Sequence, residues 1–67
     1  MHLANDPWAL IDRPGLRKRV PYSDTQLWRL EKKGLFPQRV KIGPNRIAWV
    51  ESEVIEWLRR RMAERER

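Results

Sequence analysis

No cysteine occurs in this 67-residue chain, so neither a disulfide framework nor a thiolate metal site can hold it together. The single histidine, His2, lies at the N-terminal end, which leaves nothing from which to build histidine-based nucleophile activation or a metal cluster. Its three glycines form no phosphate-cradling loop. No apolar run approaches the ~20 residues needed to cross a bilayer, and no signal-peptide pattern opens the chain. A chain this short buries only about 60% of its unfolded surface, so one domain of modest stability is expected, without room for a separate catalytic unit. Five C-terminal glutamates are interleaved with five arginines, a pattern of solvated ion pairs rather than of an acid–base dyad. The expectation is a soluble cytoplasmic protein that is not an enzyme, uses no cofactor or metal, and meets no membrane.

What the chain has in abundance is positive charge. Fifteen Lys and Arg against nine Asp and Glu give +6 and a sequence pI of about 10.8, which suggests a polyanionic partner. The excess is segregated. Residues 17–33 carry Arg17, Lys18, Arg19, Arg29, Lys32 and Lys33 against Asp24 and Glu31, a net of +4. Residues 34–50 carry Arg39, Lys41 and Arg46 with no acid, a net of +3. Residues 1–16 come to −1 and residues 51–67 to zero.

Residues 1–7 show no periodicity, and residues 1–9 read as a flexible arm before a single domain over residues 10–65, with Trp8, Leu10 and Ile11 as candidates to pack on its core as a short extended arm. Pro14 suits the first position of a helix over residues 14–20, with Leu16 and Val20 inward. Pro21 stops it. Ser23-Asp24-Thr25-Gln26 is a capping-box pattern that opens a second helix, residues 24–33, closed by Gly34. The tight connection is that of a helix-turn-helix. Around Gly43-Pro44-Asn45, Val40 and Ile42 alternate with Arg39 and Lys41, and Ile47 and Trp49 follow on alternate positions; this predicts a two-stranded hairpin with one apolar and one basic face. A third helix starts at Glu51 or Ser52, capped by Ser52, with Val54, Leu58 and Met62 inward and Glu56/Arg60 and Arg60/Glu64 paired outside. The fold class expected is mostly α with a small β-hairpin: a winged helix-turn-helix of three helices and a two-stranded antiparallel wing.

On a helical wheel Thr25, Gln26, Arg29, Lys32 and Lys33 share one arc, opposite Leu27 and Leu30. These are side chains that DNA calls for: Arg for guanine, Gln for adenine, Thr for a thymine methyl, Lys for phosphate. A solvated polar face is the alternative. In the wing, Arg39, Lys41 and Arg46, with Asn45 at the tip, suit the backbone or a narrow minor groove. Arg17, Lys18 and Arg19 suit phosphate contacts. Trp49 and Trp57 read as core; Trp28 lies between core and binding faces, where packing is the simpler role and contact with sugar-phosphate the other.

Val20-Pro21-Tyr22-Ser23-Asp24-Thr25-Gln26-Leu27-Trp28-Arg29-Leu30, then Lys33-Gly34-Leu35-Phe36-Pro37, Val40-Lys41-Ile42-Gly43 and Ala48-Trp49-Val50-Glu51-Ser52-Glu53-Val54-Ile55-Glu56-Trp57-Leu58 resemble the AlpA-type prophage regulators of the wider MerR/excisionase winged helix-turn-helix group. The likeness runs over roughly residues 11–61 and departs from the family's usual pattern at Pro21, Asp24 and Trp28. It implies a regulator of a prophage or mobile element, with Ser23, Thr25, Gln26 and Arg29 on the recognition helix and Lys41, Gly43 and Arg46 in the wing. The partner expected is double-stranded DNA, in the nucleoid. Further partners to consider are a second copy, bound cooperatively on tandem sites, and an integrase. The nearest alternative is an excisionase that bends DNA for an integrase; another is a protein-interaction module using the Arg-rich C-terminal helix. RNA binding is disfavoured for want of an exposed aromatic platform.

Overall fold

Two side-chain caps organise the first half of the chain. In the computed structural model, which describes residues 8–65, the Asp12 carboxylate accepts from the Gly15 N–H at 2.9 Å and opens α1, Arg13–Arg19. Pro14 stands in its first turn, where a missing N–H costs no hydrogen bond. The helix begins and ends one residue earlier than expected, because Asp12 rather than Arg13 caps it and Val20 has turned extended. After Pro21 and Tyr22, the Ser23 hydroxyl accepts from the Gln26 N–H at 3.1 Å while the Gln26 side-chain oxygen accepts from the Ser23 N–H at 3.0 Å. This reciprocal box opens α2, Asp24–Lys32. Gly34, at φ +73°, closes it. The N–H groups of Gly34 and Leu35 donate to the carbonyls of Glu31 and Leu30, the double closure of a Schellman motif.

The wing expected as a two-stranded ribbon is part of a three-stranded sheet. Leu10–Ile11 is a short strand β1, and Val40–Gly43 and Arg46–Val50 are β2 and β3, in the antiparallel order β1-β3-β2. Ile11 lies opposite Trp49 and Leu10 opposite Val50. Two residues show no periodicity of their own, and their pairing with β3 is remote in sequence. Pro44 and Asn45 make the turn, Asn45 in the left-handed region at φ 58°.

The phase of β2 also differs from expectation. Residues directly opposite share a face, and Lys41 lies opposite Ile47 while Val40 lies opposite Ala48. Arg39 and Lys41 therefore take the face of Trp49, and Val40 and Ile42 are left exposed.

α3, Glu51–Glu64, has no side-chain cap; its first N–H is met from the strand side, Glu51 donating to the Ala9 carbonyl at 2.9 Å. Ser52 thus lies inside the helix. Of the flexible arm expected over residues 1–9, residues 1–7 fall outside the described residues, and Ala9 is tied to α3 by this bond. The core comprises Ile11, Leu16, Val20, Leu27, Phe36, Trp49 and Val54. Trp8, Leu10 and Met62, expected inward, are exposed. Trp57 is half-buried, edge-on to Tyr22 and Phe36 with ring centroids 6.1 and 4.8 Å away, and donates to the Leu35 carbonyl at 2.8 Å. On α3 the pair Glu56–Arg60 forms at 3.4 Å, but Glu64 joins Arg61 rather than Arg60.

Candidate nucleic-acid interface

α2 turns Leu27 and Glu31 into the protein and leaves Thr25, Gln26, Trp28, Arg29, Lys32 and Lys33 exposed. Arg29 and Lys33 have no side-chain partner among the described residues. Ser23 and Gln26 are less available than their types suggest. The capping box commits the Ser23 hydroxyl and the Gln26 carbonyl oxygen, leaving the Gln26 amide NH2 as its outward donor. Trp28 is 53% exposed, not packed. It lies about 100° round the helix from Leu27, and the Lys32 ammonium sits 4.4 Å from its ring centroid.

The arginine-rich first helix divides. Asp24, at the start of α2, pairs with Arg13 at 3.4 Å and Arg17 at 3.2 Å, so its charge is met within the protein. Arg19 turns away, to Glu51 at 3.4 Å and the Gly15 carbonyl at 3.3 Å. Of the triplet only Lys18 lacks a side-chain partner among the described residues.

Arg39 is half-buried and held against the domain. Its Nε and terminal nitrogen donate to the two oxygens of Glu31 at 2.8 and 3.0 Å, and its backbone N–H donates to the same carboxylate at 3.2 Å. The Trp49 indole N–H donates to it as well, at 3.3 Å, and the guanidinium stands 5.4 Å from the Trp49 ring centroid. The hydrogen bond to Glu31 raises the Arg39 pKa above its ordinary value, against the opposing effect of burial. Glu31, which gathers these bonds, is the residue that sequence reasoning passed over. Its signal was position: it follows Leu27 by four on the apolar side of α2, where an acid needs a partner.

Lys41, Asn45 and Arg46 are exposed on the hairpin, and Gly43 lies opposite Arg46 at an irregularity in the β2–β3 register. The two elements meet at a shallow depression lined by Asp24, Thr25, Trp28 and Arg39. Helix α2 and the root of the hairpin are thereby one continuous surface, with Arg13 and Arg17 joined to it through Asp24.

Two capped helices and a basic hairpin around one small core define a domain that presents charge outward at a helix and a ribbon. The chain belongs to the AlpA family, that of the prophage CP4-57 regulatory protein, which it matches over residues 19–62. That span takes in α2, the hairpin and most of α3. The chain is also 40% identical over 45 residues to the uncharacterized protein ORF88 of Enterobacteria phage P4, a match covering 67% of this chain and 51% of that relative. The chain thus spans about half the length of the phage relative it matches.

Proposed function

We propose that this prophage regulatory protein is a sequence-specific, double-stranded DNA-binding transcriptional regulator of winged helix-turn-helix type, with α2 in the major groove and the β2–β3 hairpin on the backbone or in the adjoining minor groove. The observation that carries this reading is the exposed arc of α2, where Thr25, Arg29 and Lys33 lack side-chain partners among the described residues, together with a hairpin that exposes Lys41 and Arg46 and whose root, Arg39, lines a depression with Thr25 and Trp28. Its chemistry matches base edges and phosphates. Arg29 is the base reader and Lys32 and Lys33 serve phosphates. Lys41 and Arg46 act as wing contacts, and Arg39 anchors the wing through Glu31.

Selection of binding sites from a pool of random duplexes tests this. A recurring motif one major-groove face wide is expected; recovery of duplexes without any shared motif overturns sequence-specific reading.

A further inference from the structure

Within α2, Trp28 is the only large apolar side chain that is exposed. Its position among cations makes it unlike the scattered apolar residues that any surface carries. The Lys32 ammonium at 4.4 Å covers one ring face and holds the indole against the helix. Thr25 precedes Trp28 by three residues, so the two lie on neighbouring turns of one helical face. Both line the depression together with Asp24 and Arg39, and Arg39 is fixed by Glu31. The result is a small apolar patch flanked by the Lys32 and Arg39 cations and, on the depression's wall, by the Asp24 carboxylate that Arg13 and Arg17 meet.

The major groove of DNA offers one apolar group at its base edges, the 5-methyl of thymine. We infer that Thr25 and Trp28 form an apolar subsite for the 5-methyl group of a pyrimidine, so that α2 reads a methyl beside the base read by Arg29. The inference rests on the DNA-binding reading above. The subsite accepts thymine, and 5-methylcytosine by the same chemistry.

The experiment takes the duplex recovered by selection and replaces each thymine in turn with deoxyuridine, which deletes only the methyl. Wild-type protein loses affinity about fourfold at one or two thymines, the ~0.8 kcal/mol of one buried methyl group. Trp28→Ala binds the parent duplex more weakly and no longer distinguishes thymine from deoxyuridine there, because the two deletions remove the same contact. Thr25→Ser, which keeps the hydroxyl and removes the methyl, narrows the same ratio and decides the matter should Trp28→Ala fold poorly by circular dichroism. Indifference of wild-type protein to every replacement, or an unchanged fourfold ratio in the variants, overturns the subsite alone. A selection that returns no motif overturns it together with the DNA-binding reading.

Discussion

The Arg39 guanidinium donates two hydrogen bonds, at 2.8 and 3.0 Å, to the Glu31 carboxylate, and so joins the root of the hairpin to the helix with the exposed cationic arc. Glu31 is only 6% exposed. Removing one partner of such a pair strands the other, whereas replacing both with apolar groups is often neutral. Glu31→Ala should therefore lower unfolding stability by about 3 kcal/mol, a large share of what a domain this small has. The double variant Glu31→Leu/Arg39→Met should recover only part of it, as read by urea denaturation, because the Trp49 indole N–H and the backbone N–H of residue 39 still lose their acceptor. A double variant no more stable than Glu31→Ala would contradict the pairing.

The capping box separates stability from binding. Gln26→Glu keeps the reciprocal hydrogen bonds and places a negative charge in the first turn, where the helix dipole favours it by about 0.3–1 kcal/mol. The same charge faces outward on the exposed arc of α2. The melting temperature should hold or rise while duplex affinity falls by roughly 1 kcal/mol or more. Ser23→Ala should do the reverse to the fold, costing about 1 kcal/mol and lowering the melting temperature by about 4–8 °C.

Gly34 holds φ +73° with open space where a Cβ would stand. Gly34→Ala should thus cost about 1 kcal/mol through the backbone alone, and Gly34→Asn less, because Asn tolerates the left-handed region. Equal stability of the wild type and Gly34→Ala in thermal unfolding would contradict this closure of α2.

Local chemistry made much of this legible in the sequence. Ser23 with Gln26 marked the start of α2 and Gly34 its end, because each is a short-range signal with one physical meaning. The alternation around Pro44-Asn45 revealed the hairpin but not which phase faces the core. That choice is made by cross-strand register, which put Lys41 opposite Ile47 and left Val40 and Ile42 outside. Leu10 and Ile11 were readable as a short extended arm but not as β1, because they are strand only through Val50 and Trp49, some forty residues away. Within the candidate site the exposed residues of α2 were readable from the wheel. The partners of Arg17, Arg19 and Arg39 were not, since a charge says nothing of the distant carboxylate that meets it.

Salt dependence follows from the exposed cations. If Lys32, Lys33, Lys41 and Arg46 each neutralise one phosphate while Arg29 reads a base, the logarithm of affinity should fall against the logarithm of salt with a slope of about −3.6. Removing any one of these phosphate contacts by alanine should reduce the slope by about 0.9, and Arg19→Ala should not, because Arg19 is turned to Glu51. A flat titration would remove the electrostatic basis of binding.

Whether α2 reads bases while the hairpin holds the backbone is decided by the affinities of Arg29→Ala and Arg46→Ala for the selected duplex and for a scrambled one. Arg29→Ala should lose about 1–3 kcal/mol of discrimination between the two duplexes, while Arg46→Ala should weaken both alike and leave discrimination unchanged. Losses of the same size on both duplexes for both variants would contradict that division of labour.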